Sequence, residues 1–223
     1  HMSTMPVTVI AGYLGAGKTT LVNRLLRHAD GLRIAVLVNE FGALPIDADL
    51  IESTNGNVVA IAGGCICCSY GSDLMAAMME LAKLSPRPAR IVNVASAGQS
   101  AIDFDDVMLT RRYDGGRAYT QSKLAQVMFT FDLARELDGA GITVNCLHPA
   151  TYMDTTMVRE SGVKPISTVE DGAEAILQLA VSPKLEGRTG LYFDRMREAR
   201  AHSQAYDETT REHLRALSFA LTG

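Results

Sequence analysis

Nine consecutive residues, Gly12-Tyr13-Leu14-Gly15-Ala16-Gly17-Lys18-Thr19-Thr20, have the types and spacing needed to hold a polyphosphate. Several backbone N–H groups must converge on such a ligand, and only residues with little or no side chain let the chain wrap that closely; Gly12, Gly15, Ala16 and Gly17 meet that need. A helix opening near Lys18 would add its positive end, and the Lys18 ammonium can reach the outer phosphates. The Thr19 hydroxyl suits a magnesium ion, and Thr20 offers a further donor to phosphate. The pattern fulfils G-x-x-x-x-G-K-[ST] in full, after an apolar run from Val7 to Ala11 and before the amphipathic stretch Leu21 to Leu26, the strand-loop-helix setting this chemistry requires.

Two other groups of residues could do chemistry. Cys65-Ile66-Cys67-Cys68 gathers three of the four cysteines. In a reducing compartment that suggests metal or redox chemistry before a disulfide framework. Thiolates two and three residues apart can share one ion, but a closed tetrahedral site needs a fourth ligand, and small buried thiols filling a crowded turn remain the alternative. Cys146 reads as a buried strand residue and is not counted with them. Further on, Tyr119 and Lys123 lie four apart, so on a helix they share a face, where an ammonium beside a phenol favours the phenolate. Such a pair is by itself weak, since any helix can carry it in solvent. His148, His202 and His213 have no ligand spacing between them and read as structural or solvated.

The elements that must position these residues follow from hydrophobic pattern. Arg33 to Asn39 is a nearly continuous β-branched run, as expected of a strand buried on both faces of a parallel sheet. Asp47 to Ile51 and Val58 to Ile61 flank the turn Asn55-Gly56 as edge structure or a hairpin. Ser72 or Asp73 caps a helix to about Leu84. Arg90 to Gly98 is the next strand, and Ala101 to Arg117 a polar excursion over the carboxyl edge of the sheet. Arg117 to Asp138 is a helix bounded by Gly139, with Leu124, Val127, Met128, Phe131 and Leu137 at core spacing. Then follow a strand, Ile142 to Leu147, a helix, Thr168 to Val181, capped by Ser167 or Thr168, a short strand, Gly190 to Phe193, and a terminal helix, Asp207 to Leu221.

The 223 residues, 47% hydrophobic, suffice for one large α/β domain. The formal charge of −4 is spread evenly, 5 basic and 7 acidic groups in residues 1 to 86 against 16 and 18 beyond. No basic face for nucleic acid stands out. His1-Met2 reads as an expression-vector remnant, and no secretory signal or membrane-length apolar run follows, so a cytoplasmic protein without a membrane partner is expected.

The front of the chain resembles a known family. GYLGAGKTTLVNRLL, VLVNEFG, Ile46-Asp47 and GGCICC ahead of a Ser-Asp-Leu helix are similar to the CobW-type metal-chaperone P-loop GTPases over roughly residues 6 to 85. The resemblance implies GTP and magnesium at the loop, with Cys65, Cys67 and Cys68 binding zinc or a related ion and Glu40 a further ligand. A GTPase of this type should next supply an acidic strand end and later an Asn-Lys-x-Asp-like segment that reads guanine. Neither is present; Asn93 stands near where the carboxylate is wanted, which removes an outer anchor for magnesium.

From about Arg90 onward the chain resembles the C-terminal half of a short-chain dehydrogenase/reductase of the retinol-dehydrogenase kind. IVNVASAG, Tyr119-Thr120-Gln121-Ser122-Lys123 and Asn145-Cys146-Leu147-His148-Pro149-Ala150, leading to Thr155, match that family's Ser, Tyr-x-x-x-Lys and Asn-x-x-His-Pro-Gly blocks, with Ala150 in place of the glycine. The resemblance implies that Ser96 would polarise a carbonyl, Tyr119 would move the proton, and Lys123 would tune the tyrosine and hold the nicotinamide ribose. The dinucleotide loop of that family is absent, so the catalytic trio reads as an inactive remnant and no NAD(P) is expected.

Together these readings describe an engineered chimera fused near residues 85 to 90, with segments 1–86 and 87–223 in one α/β domain. The expected fold is a three-layer α/β/α sandwich with a mostly parallel sheet, a P-loop and Rossmann-like hybrid. The expected function is binding of GTP or ATP with magnesium and little catalysis, residual NTPase before dehydrogenase. The alternatives are an NAD(P)-dependent oxidoreductase and a fold-recombination scaffold with no ligand.

Overall fold

The structure is a computed structural model that describes residues 5–9, 36–39, 58–61 and 88–222. The phosphate-loop motif, Glu40, the cysteine trio, the Asp47 to Ile51 piece and the helix expected from Ser72 or Asp73 lie outside the described residues.

Five strands form one sheet in the order β1 (Met5–Val9), β4 (Pro88–Val94), β5 (Thr143–His148), β6 (Tyr192–Asp194) and β7 (Arg197–Ala199). The first four run parallel, and β7 is antiparallel to β6. The strand that leads into the phosphate-loop motif therefore pairs directly with the strand that leads to Ser96, in a register that sets Val9 against Asn93. A separate two-stranded ladder joins β2 (Val36–Asn39) and β3 (Val58–Ile61). Its pairing is parallel, which selects a crossover geometry for β3, where the sequence left edge structure or a hairpin open.

Alternation along β4 sorts the core into two sides. Val92 and Val94, with Leu147 and Phe193, pack against Ala173, Ile176 and Leu179 of α3 (Val169–Val181). Ile91 and Ala95, with Val144, Cys146 and Tyr192, pack against Leu124, Val127, Met128 and Ala134 of α1 (Gly115–Glu136). Helices on opposite faces of a mostly parallel sheet make the expected three-layer α/β arrangement. Burying each of these large apolar side chains stabilises the fold by about 1.5–3 kcal/mol before entropy is counted.

The helix ends follow capping chemistry. Asp114 accepts from Arg117 N at 2.7 Å and starts α1 two residues before the expected Arg117. Thr168 and Asp171 form a reciprocal capping box at the start of α3. The terminal helix α4 (Glu208–Thr222) lies against α1, joined by an Arg211–Asp132 ion pair with both side chains about nine-tenths buried. A one-turn helix, α2 (Thr156–Glu160), follows β5.

Candidate functional site

The loop that leaves the carboxyl end of β4 carries Ser96, and α1 brings Tyr119 and Lys123 to the same corner. Ser96 is buried, and its Oγ accepts from Gly98 N at 3.1 Å. A methyl group placed on Gly98 would sit 3.5 Å from Ser96 Oγ, 3.6 Å from Tyr119 Cε1 and 3.7 Å from Thr120 Cγ2. The three side chains thus line one small space that glycine leaves open. Lys123 Nζ stands 5.7 Å from the centre of the Tyr119 ring and donates to Gln126 Oε1 at 3.3 Å. An ammonium over an aromatic face is attracted by the ring quadrupole. Tyr119 is 39% exposed, so the corner opens to solvent. The structure accordingly brings Ser96 and Tyr119 together around Gly98, with Lys123 beside the Tyr119 ring.

Ser96 is held from behind. Its carbonyl oxygen accepts from Gln99 Nε2 at 2.8 Å and from the Tyr192 hydroxyl at 3.2 Å. Burial pushes the Tyr192 phenol well above its ordinary pKa, with Asp194 and Cys146 acting in the same direction, so it stays a donor. Gln99 Oε1 in turn accepts from His202 N at 2.9 Å, and Gln204 grips both polar groups of the Ile102 backbone. The segment after β7 therefore braces the Ser96 loop. Nothing in the sequence pattern singles out Gln99, Tyr192 or Gln204, since their partners are about a hundred residues away in the chain or reached only through the fold.

Asn93 is 3% exposed and points into the α1 side, donating from Nδ2 to Thr130 Oγ1 at 2.8 Å. Thr130 Oγ1 passes its own proton to Gln126 O at 2.9 Å. The amide is committed to the core, and no carboxylate stands at that point. Asn145 is likewise structural: its Nδ2 donates to Arg188 O at 2.8 Å while its Oδ1 accepts from Leu191 N at 3.0 Å, which seats β6 beside β5. Thr155 differs. Its Oγ1 is buried without a hydrogen-bond partner among the described residues, the state of a group that a ligand could satisfy.

Cys146 is fully buried on β5, and burial pushes its thiol up to about 12, which leaves an inert side chain. Buried His148 shares a 2.8 Å hydrogen bond with Thr151 Oγ1; desolvation lowers its pKa, with Asp194 opposing and Arg195 reinforcing that shift. His202 Nδ1 caps Gln204 N, and His213 stacks on Phe104 with ring centres 4.4 Å apart. Among the described residues no three His, Cys, Asp or Glu side chains group as a metal site, and no helix is long and apolar enough to cross a membrane.

Two family profiles match the chain. That of the CobW/HypB/UreG nucleotide-binding domain covers residues 6–110, and that of short chain dehydrogenase covers residues 70–165, so the two overlap across the strand β4. The zinc chaperone CobW of Sinorhizobium sp is 40% identical over 98 residues, which is 41% of this chain and 28% of that protein. Human retinol dehydrogenase 13 is 36% identical over 154 residues, 61% of this chain and 46% of that protein. The chain therefore spans less than half the length of either relative. A mutant short-chain dehydrogenase/reductase from Serratia marcescens superposes with a TM-score of 0.56 at 18% identity, over 87% of this chain and 97% of its own, a likeness of fold. The chain joins a CobW-like nucleotide-binding segment to a short-chain-dehydrogenase-like segment.

Proposed function

We propose that this composite, CobW-like in front and dehydrogenase-like behind, binds the phosphates of GTP or ATP with magnesium at the loop after β1 and turns them over slowly or not at all. One observation carries the reading. In sequence the motif Gly12 to Thr20 begins three residues past the end of β1, and β1 runs parallel to β4; the carboxyl ends of such strands are where parallel α/β sheets generally hold their ligands. In this reading the amides of Gly12, Gly15, Ala16 and Gly17 face the phosphates, Lys18 reaches the outer ones, and the hydroxyls of Thr19 and Thr20 serve the ion and the phosphates. Magnesium supplies charge neutralisation between phosphates. Slow turnover follows from Asn93, which stands beside the end of β1 without a negative charge and spends its amide on Thr130.

The same reading takes the chain as an engineered single domain, residues 1–86 and 87–223, and Cys65, Cys67, Cys68 and Glu40 as ligands for zinc. The test of the nucleotide site is calorimetric titration with magnesium GTP and magnesium ATP, repeated on Lys18→Ala. At least a tenfold loss of affinity is expected, about the weight of one charge-assisted contact to phosphate. Equal affinity in the two proteins would refute the site.

A second reading, an NAD(P)-dependent oxidoreductase, is supported by Ser96 and Tyr119 meeting around Gly98, by Lys123 beside the Tyr119 ring, and by a Thr155 hydroxyl that is buried without a partner among the described residues. In that reading Tyr119 holds the moving proton and Ser96 orients a carbonyl; the cofactor supplies the hydride. NADPH fluorescence separates the readings, since the first predicts no change when protein is added.

A further inference from the structure

We infer that Met153 is a peroxide-sensitive latch: as a thioether it pins the lobe between β5 and α3 onto α3, and as a sulfoxide it lets that lobe go. No ligand at the phosphate loop or at Ser96 takes part.

The lobe, residues 152–167, leaves the fold soon after β5 and returns at the capping box of α3. Its base is narrow. Asp154 N donates to Ser167 O at 3.0 Å and Ile166 N donates to Tyr152 O at 3.1 Å, forming a single parallel bridge between Met153 and Ser167. One bridged residue pair without a sheet around it is marginal by itself. The Met153 side chain adds the second hold. A methyl group on Gly172 would lie 2.5 Å from Met153 Sδ and 3.7 Å from Pro149 Cβ, so the sulfur rests against bare helix backbone in a notch that only glycine provides. Next to it, Tyr152 is kept at φ 43, an unfavourable conformation for so large a side chain. Such a residue persists only when its neighbours are tied down, here Thr151 to His148 and Met153 to Ser167 and the notch. The hydrogen bonds of Arg159 to Asp154 and of Ser161 to Val158 O close on the lobe itself.

Met153 is half-buried, so a small oxidant reaches its sulfur. A sulfur lone pair attacks one oxygen of hydrogen peroxide, the O–O bond breaks, and the other oxygen departs as water with both hydrogens; sulfur gives up two electrons and the peroxide takes them. Neither wall of the notch can serve the new oxygen. Pro149 has no N–H, and Gly172, the fourth residue of α3, spends its own inside the helix. A polar oxygen without a donor is disfavoured there, so the sulfoxide turns out to water and the bridge loses its second hold. Reduction of the sulfoxide resets the latch.

The test treats the wild-type chain and Met153→Leu with equal hydrogen peroxide. Met108 and Met196, 66% and 43% exposed, react in both proteins and cancel in the comparison. Fragment mass mapping assigns each added oxygen to its residue, and hydrogen exchange follows residues 150–168 with α1 as the internal reference. Untreated Met153→Gln serves as a polar mimic. The amides of Asp154 and Ile166 should exchange about tenfold faster in oxidised wild type and in Met153→Gln, with α1 unchanged and Met153→Leu insensitive to peroxide. The latch is overturned if Met153 stays unoxidised while Met196 converts, or if its oxidation leaves these two amides as protected as before. Equal acceleration in treated Met153→Leu, or acceleration that spreads equally to α1, overturns it too.

Discussion

Replacing Arg211 with Met strands a buried carboxylate between the helix that carries Tyr119 and the helix that ends the chain. Arg211 Nε donates to Asp132 Oδ1 at 2.7 Å and Nη1 donates to Ala205 O at 2.9 Å; the paired side chains are 11% and 9% exposed. Removing one partner of such a pair costs about 3 kcal/mol, the low end for a buried charge because a tenth of each side chain still meets water. The Ala205 carbonyl, on a fully buried residue, loses its donor and adds about 1 kcal/mol. The sum, about 4 kcal/mol, corresponds to a fall in Tm of roughly 8–16 °C for a chain of this size. Urea unfolding followed by circular dichroism at neutral pH reads the same quantity as a shift in midpoint. In the double variant Asp132→Leu with Arg211→Met the stranded charge is gone, and stability returns to within about 1.5 kcal/mol of wild type. A single variant that loses less than about 1 kcal/mol, or a double variant less stable than the single, would show that the pair is solvated in solution and that α4 is not fastened to α1 in this way.

Three further outcomes follow from the same contacts. His148 has a folded pKa below its ordinary value of about 6.5, so its contribution to stability is complete above that pH and is lost as pH falls toward the folded pKa. Wild type should therefore lose up to about 1.4 kcal/mol per pH unit more than His148→Gln on acidification from neutrality, and parallel curves for the two proteins would exclude this assignment. Cys146 should remain unlabelled by iodoacetamide at mildly alkaline pH until denaturant is added, as peptide mass mapping can establish; rapid native labelling would contradict its burial. Asn93→Asp places a carboxyl beside Thr130 in the core, so its stability should drop by about 2 kcal/mol at neutral pH and recover as pH falls and the acid protonates.

Much of the second half was legible because local rules and tertiary packing agree there. The core spacing of Leu124, Val127 and Met128 places α1 on the sheet, and Thr168 with Asp171 starts α3 where the capping pattern says it should. The misses share a cause, since they depend on contacts distant in sequence or on backbone geometry that a short motif does not encode. β7 is three residues long and turns back from β6 through Arg195 at φ 56, a left-handed conformation no glycine advertises. β3 pairs with β2 in parallel, which is not the hairpin that the Asn55-Gly56 signal suggests. At the candidate site, the Tyr119 and Lys123 spacing pointed to a shared helix face, but the bracing of Ser96 by Gln99, Tyr192 and the residues after β7 has no periodic signature.

Parallel pairing also explains how segments that resemble different families can share an edge. A parallel ladder is made by backbone groups, and its evenly spaced bonds ask of each strand only that it be extended and suited to burial. β1 and β4 satisfy that with five register partners from Met5↔Pro88 to Val9↔Asn93, interrupted by one irregularity after Met5. Because the strands point the same way, the carboxyl ends of β1 and β4 lie side by side, with Val9 opposite Asn93, whichever family each segment resembles. If the pairing in solution were instead between β1 and another strand, cysteines introduced as Val7→Cys and Ile91→Cys, register partners in the sheet, would fail to crosslink under mild oxidation. Prompt formation of that crosslink, absent when Val7→Cys is paired with Val144→Cys one strand further away, is the outcome the ladder requires.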